Sequence, residues 1–459
     1  VAVSSARQAA FTILLRVERE SAFAVELLHS SLLDSLSPAD RNLATEIVMG
    51  VLRWRSVLDQ VIARLSFTPF RKLDLEVLTA LRMGVYQKQF LSKIPTHAAV
   101  NETVELVKQA KKTSAAGLVN AVMRKVKRGL EPGLNLTNVD HLAASLAHPK
   151  WLVERWEANF GFEAAMRICE YDQRVPQTAL RLASSDEEAA LTREGIQLAP
   201  GALMAEAQTV VSGDVTVSES FRSGKVAIQD EGSQLVAALV GQGKRILDCC
   251  AAPGGKTGAL ATRLPEAEIF AAELHPHRAR LLRRMAPQPN VHVVTADALA
   301  LPFAAEFDRV LADVPCSGTG TLARNPEIKW RLRPDDLRDL QSRQRAILSA
   351  AMRHVGSGGR LVYSTCSLEP EENEQVVAAC LQDHPQFKVV PVLEELRRLQ
   401  QSGELIWKDI DSLVDGDFLR TIPGVHPCDG FFAAIFNPEP ERSLRREGSL
   451  YPRYSSGDP

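Results

Sequence analysis

Apolar residues recur three and four positions apart through the first 130 residues, as at Phe11, Leu14, Leu15 and Val17. That spacing puts them on one face of a helix. Ser37-Pro38-Ala39-Asp40 reads as a helix start. Serine offers a capping oxygen, proline fits the first turn, and aspartate meets the positive end of the helix dipole. Ile47, Val48, Val51 and Leu52 continue the apolar face of that helix. Two more helices are predicted over 98–108 and 116–128. The second ends in Arg124, Lys125, Lys127 and Arg128, which suit a helix C-terminus and a phosphate backbone equally well. Glu131-Pro132-Gly133 breaks the pattern. Residues 1–130 are therefore expected to form an all-helical domain.

The pattern then becomes mixed. Residues 131–224 hold short alternating runs, Ala179–Leu182 and Val215–Val217 among them, and predict a linker and a small α/β subdomain. From Lys225 apolar strands alternate with helices. Arg245–Cys250, Glu268–Glu273, Val291–Thr295, Val310–Asp313, Leu361–Thr365 and Gly430–Phe436 read as strands, and Leu337–Val355 as a long helix. Such alternation predicts an α/β domain over 225–437, a doubly wound and mostly parallel sheet with helices on both faces. Glu394–Thr421 reads as a polar, irregular insertion, and 438–459 as a disordered tail.

Composition narrows the class. With 45% hydrophobic and 24% charged residues, the chain is neither disordered nor fibrous. No uncharged apolar run reaches the length of a membrane span, and charge enters too early at the N-terminus for a signal peptide. Seven scattered cysteines without a Cys-x-x-Cys pair argue against a disulfide framework and against zinc. A reducing cytoplasm and a monomeric chain are the expectation, with no metal. The net charge of −2 hides an asymmetry: residues 1–130 carry 19 basic and 11 acidic residues. A basic front ahead of an acidic body fits an anionic partner, nucleic acid foremost.

Candidate chemistry gathers at the strand ends. Asp248-Cys249-Cys250-Ala251-Ala252-Pro253-Gly254-Gly255-Lys256-Thr257 runs from a strand through glycines into a helix, a turn that lets a ligand approach the backbone. A P-loop would need glycine where Cys250 stands, and G-x-G-x-x-G is absent. Glu273 ends the second strand, where an acid can accept both hydroxyls of a ribose. Asp297 follows the third and can take an adenine amino group. Together they indicate an adenosine-containing cofactor without a long phosphate tail, such as S-adenosylmethionine.

Asp313-Val314-Pro315-Cys316 and Thr365-Cys366-Ser367 place two cysteines beyond strands on one sheet edge. A single cysteine is more often inert core. Two at neighbouring strand ends, one beside an aspartate, fit nucleophilic work on carbon. Thiolate addition at C6 of a pyrimidine makes C5 an enamine-like nucleophile towards a methyl donor. An acid near N3 assists, a base removes the C5 proton, and the thiol leaves.

These runs resemble the RNA (cytosine-5-) methyltransferase family, and within it the bacterial 16S ribosomal RNA methyltransferases of the Fmu/Sun (RsmB) type. The resemblance spans 226–436, from Val226-Ala227-Ile228-Gln229-Asp230 through the cofactor turn and both cysteine motifs to Asp429-Gly430-Phe431-Phe432. Gly50-Val51-Leu52-Arg53, Ile94–Val104 and His148-Pro149-Lys150-Trp151 resemble the NusB-like front and connecting region of that type. The resemblance implies a Rossmann-like class I methyltransferase domain behind a NusB-like RNA-binding domain. It implies that Cys250, Ala251, Ala252, Pro253, Gly254, Gly255, Lys256, Glu273, Asp297 and Asp313 bind S-adenosylmethionine. Cys366 is then the nucleophile and Cys316 the group that assists release of the methylated RNA. Asp313 and Lys256 act at the reacting centre, and Pro315 shapes the turn beside the base. The substrate implied is 16S ribosomal RNA. Ala183 departs from the pattern, standing where the family usually has asparagine after Arg181.

Two other readings compete. In a DNA cytosine methyltransferase the Pro-Cys motif would supply the nucleophile, but the Thr-Cys motif and the basic front favour RNA. A ribosome-assembly factor without essential catalysis would not need the acids and both cysteines intact.

Overall fold

The computed structural model describes residues 3–129 and 136–439; the break at 131–133 and the tail from 440 onward lie outside them. Seven helices open the chain: α1 (Ser5–Glu20), α2 (Ala24–Leu28), α3 (Pro38–Arg53), α4 (Arg55–Leu65), α5 (Leu75–Phe90), α6 (Thr96–Gln109) and α7 (Ala116–Lys125). The side chain of Ser37 accepts from Asp40 N at the start of α3, as the local sequence demands. The core draws on residues Ala6 to Val126 alone, with Phe11, Leu14, Ile47, Val48 and Leu52 inside it. α5 runs through its centre, so residues 77–88 are buried all round. Gly50 lets α3 approach it: a Cβ there would lie 1.9 Å from the Tyr86 ring.

Three helices follow, α8 (Val139–Ser145), α9 (Lys150–Phe160) and α10 (Phe162–Asp172). They share a core that also takes in Leu322 and Leu368, one residue from each cysteine-bearing segment. A four-stranded antiparallel sheet comes next, β1 (Ala179–Leu182), β2 (Gln197–Pro200), β3 (Ala207–Ser212) and β4 (Val226–Ile228), in the order β2-β3-β1-β4. Val215–Val217, expected to be extended, is a 3-10 turn instead. Asp214 caps it by accepting from Thr216 N, and this local bond outweighs the alternation of three residues.

The large sheet holds β5 (Arg245–Asp248), β6 (Glu268–Glu273), β7 (Val291–Thr295), β8 (Phe307–Asp313), β9 (Val355–Thr365), β10 (Phe387–Val390), β11 (Val414–Asp415), β12 (Phe418–Arg420) and β13 (Phe432–Pro438). Its order is β11-β12-β13-β9-β8-β5-β6-β7, with β10 also on β13. The five strands β9-β8-β5-β6-β7 are parallel; β10 to β13 pair antiparallel. Successive residues point to opposite faces. Ile246, Leu311 and Val362 enter one core, while their neighbours Leu247, Val310 and Leu361 enter the other. Both faces are thus apolar and covered, as parallel strands require.

The expectation of an irregular insertion over 394–421 is overturned. Val392–Gln401 is a helix, and β11 and β12 follow. Leu396, Leu399, Leu405, Leu413 and Leu419 are all buried in the core on that face. Their charged neighbours masked a helical spacing of apolar residues in the sequence.

The helical front is bolted to the segment after β8. Arg53 donates to Ala323 O at 3.0 Å, and Lys329 donates back to Arg53 O at 3.0 Å. Trp330 donates to Leu52 O at 2.6 Å. Arg331 reaches Ser21 O at 3.0 Å and Val17 O at 2.8 Å, and also Ala22 O. Glu327 accepts from Ala24 N at 2.7 Å.

Candidate active site

β5 is central, with β6 and β7 on one side and β8 and β9 on the other. The chain direction across the sheet therefore switches between β5 and β8, and crevices form beyond the carboxyl ends there. Asp248 ends β5 and Asp313 ends β8. Between them lies a cleft of about 260 Å³, which gathers six of the residues named from sequence: Ala251, Ala252, Pro253, Gly255, Lys256 and Asp313. Gly255 and Lys256 open the helix Gly255–Arg263. Gly254 stands just outside the cleft with φ of +116°, and a Cβ there would meet Leu282 at 2.9 Å.

The remaining cofactor candidates lie at or beyond the margin. Glu273 is buried, and its Oε1 accepts from His275 N at 2.8 Å. Cys250 is half-buried, and burial pushes its thiol up. Asp297 is exposed and its Oδ1 accepts from Leu299 N at 2.9 Å. Arg181 turns inward, donating to Gln229 at 3.0 Å and Thr262 at 2.9 Å, and so braces the small sheet against the helix after the glycine turn.

Asp248 forms the floor of the cleft. Oδ2 accepts from Thr257 at 2.7 Å, while Oδ1 is buried without a partner. Burial pushes its carboxyl up to about 7. Lys256 donates to Asp313 Oδ2 at 2.8 Å, and Ser364 donates to Asp313 Oδ1 at 2.7 Å. Burial alone would lower the Lys256 ammonium; Asp313 beside it more than compensates and holds it above its usual value. The far wall is an ion cluster around the buried Asp429. Arg324 binds Asp429 at 2.6 Å and Asp230 at 3.1 Å, and Tyr171 donates to Asp429 at 3.1 Å.

The parallel pairing of β8 with β9 sets Asp313 opposite Ser364. The two cysteines that follow these strands therefore meet. Cys316 Sγ and Cys366 Sγ are 3.2 Å apart, and Cys366 N donates to Cys316 Sγ at 3.3 Å. This separation exceeds a disulfide bond of roughly 2.05 Å, and both are free thiols, half-buried. The Cys316 thiol is pushed up, first by its hydrogen bond to Cys366 and then by burial.

Residues that sequence reasoning missed hold this pair in place. Glu372 is fully buried. It accepts from Ser317 N at 2.8 Å and Gln344 Nε2 at 2.8 Å, and from the hydroxyls of Ser317 and Ser367. Ser317 and Ser367 each follow a cysteine, so one carboxylate grips both loops. Arg155 of α9 binds Glu369 at 2.5 Å behind the Cys366 loop. Nothing in the run Glu369-Pro370-Glu371-Glu372 distinguishes the two fully buried acids from the half-buried one. Arg324 likewise carries no local signal.

A switch-point cleft with acids at its strand ends and a glycine turn beneath a helix defines a Rossmann-like class I methyltransferase domain. The comparisons with known proteins agree. Residues 237–437 match the family model described as 16S rRNA methyltransferase RsmB/F, and residues 4–128 match the NusB family. The chain is 33% identical to the probable ribosomal RNA small subunit methyltransferase B of Bacillus subtilis (strain 168), over 97% of this chain and 99% of that one. It is also 33% identical to ribosomal RNA small subunit methyltransferase B of Vibrio cholerae, covering 88% of this chain and 91% of that one. The solved structure of PH0851 shares the fold, with a TM-score of 0.78 at 23% identity, covering 95% of this chain and 99% of that one. The chain belongs to the 16S rRNA methyltransferase RsmB/F family, whose methyl donor is S-adenosylmethionine.

Proposed function

We propose that this protein methylates C5 of a cytosine in 16S ribosomal RNA through a transient bond between Cys366 and C6. The observation that carries the reading is the meeting of Cys316 and Cys366, 3.2 Å apart, beside the Lys256–Asp313 pair that lines the cleft. The names of the relatives, which are ribosomal RNA small subunit methyltransferases, support the substrate. In this reading residues 1–130 hold RNA, 131–224 connect and assist, and 225–437 perform transfer. The protein acts as a cytoplasmic monomer; among the described residues no helix is long and apolar enough to cross a membrane.

The cleft suits S-adenosylmethionine. Its walls are rich in acceptors, and the unpartnered Asp248 Oδ1 is matched to a donor such as an ammonium or hydroxyl group. The bound donor supplies an electrophilic methyl group. Lys256 is kept charged by Asp313. Cys366 adds to C6 while Asp313 assists at N3, which makes C5 nucleophilic. After transfer a base such as water takes the C5 proton, the electrons of that C–H bond restore the C5–C6 double bond, and Cys366 leaves C6 as a thiolate, with Cys316 assisting the release.

Incubation with labelled S-adenosylmethionine and unmethylated 16S RNA should label cytosine at C5. Cys366→Ala should abolish transfer, and Cys316→Ala should accumulate a covalent protein–RNA adduct. Full activity of Cys366→Ala would defeat the assignment.

A further inference from the structure

Phe67 is 87% exposed, the most exposed large hydrophobic side chain among the described residues. It stands in the turn after α4 and is neither part of the cleft nor near either cysteine in sequence. Lys125, in the last turn of α7, sits over its ring with Nζ 4.2 Å from the centroid. The chain around Lys125 is uniformly basic: residues 106–130 contain seven Lys and Arg and no acid. Arg124, Lys125 and Lys127 are exposed and make no ion pair among the described residues. Arg71 and Lys72, just beyond Phe67, are likewise exposed and unpaired there.

Basic residues at the end of α7 complement the helix dipole, and that alone would explain Arg124 and Lys125. It does not explain a phenylalanine left in water beside them, since phenylalanine is among the residues most often buried. An exposed ring among cations is the combination that binds single-stranded nucleic acid: every base has a face to stack, and each neighbouring phosphate takes a cation. Lys125 covers one side of the ring and leaves the other for a base.

We propose that Phe67 and Lys125, flanked by Arg71, Lys72, Arg124 and Lys127, form a docking surface for an unpaired segment of the RNA substrate, away from the methylated nucleotide. The proposal rests on the RNA reading above and names the surface that would hold the RNA. It contributes to affinity and placement, so its loss appears in KM rather than kcat.

The test uses the full chain with unmethylated 16S RNA transcribed in vitro, binding being measured across a salt series. Phe67→Ala should weaken RNA binding about tenfold, the usual effect of losing one stacked base, and raise KM by the same factor. Phe67→Trp should restore both. Arg124→Gln with Lys125→Gln should reduce the steepness of the log–log salt dependence by about 1.4, roughly 0.7 per phosphate on a single strand. Unchanged RNA affinity and salt slope in both variants would overturn the surface, whatever cytosine transfer shows. Loss of binding in these variants, with no cytosine labelled by the wild type, would support the surface while defeating the cytosine reading.

Discussion

Removing Glu372 tests what keeps the two cysteine loops in register. Its carboxylate takes hydrogen bonds from Ser317 N, Gln344 Nε2 and two seryl hydroxyls. Glu372→Gln keeps the volume. Its carbonyl oxygen still accepts from the two N–H donors, and the hydroxyls can rotate to accept from the new amide. The loss is charge assistance, about 1–2 kcal/mol in all. Glu372→Ala strands Ser317 N in a dry site, which costs ~1–3 kcal/mol, and leaves a void worth a further ~1–2 kcal/mol. The other donors are spared, because Gln344 also reaches Pro315 O at 3.0 Å and Ser317 also reaches Ser367 at 3.1 Å. The expected destabilisation is therefore about 2–5 kcal/mol for alanine, and urea denaturation of the full chain reads it. Slackened loops should also slow adduct formation with RNA at least about tenfold, a loss of some 1.4 kcal/mol at the transition state. The affinity for S-adenosylmethionine, measured by calorimetry, should hold. An alanine variant as stable as the wild type, or one whose cofactor affinity falls in step with the adduct rate, would refute this account.

Gly320→Ala should cost about 3 kcal/mol or lower the folded yield, since a Cβ there would stand 2.3 Å from the Gly430 carbonyl oxygen in a backbone contact; an unchanged melting curve would show that the loop yields. Asp248 titrates at about 7 when folded against roughly 3.9 when unfolded. Between those values the folded state binds more protons, so its contribution to stability falls as pH rises, by at most ~4 kcal/mol. Asp248→Asn should flatten the stability curve between about pH 4 and 7, and identical wild-type and variant slopes would contradict the assignment. Arg331→Ala removes the bonds to Val17, Ser21 and Ala22 and should speed proteolysis between the helical front and the sheet while cofactor affinity holds; unaltered cleavage would show that the other contacts suffice.

Much of this was readable in the chain because it obeys local rules. The start of α3, the strands Glu268–Glu273 and Val291–Thr295, and the glycine turn all follow from neighbouring residues. The cysteines could be put on one sheet edge by counting strand ends. Their contact could not, since it depends on the register of β8 against β9. The helix at Val392–Gln401 was hidden by Glu394, Glu395, Arg397 and Arg398 around its apolar stripe. Glu372, Glu369 and Arg324 escaped notice for a different reason: a buried ion has no sequence signature, and only its partners, brought from far along the chain, reveal it.

The carbonyls of Val17, Ala22, Leu52 and Arg53 find their donors between 276 and 314 residues further on. The helical front draws its core from residues up to Val126, so during synthesis it is finished long before those donors leave the ribosome. At about 5–20 residues per second the wait is some 10–40 seconds, with water standing in at each carbonyl. The last joint to close is the one beside Cys316, and a nascent chain lacks the complete pair of sulfur-bearing loops until Cys366 emerges, about four fifths of the way along.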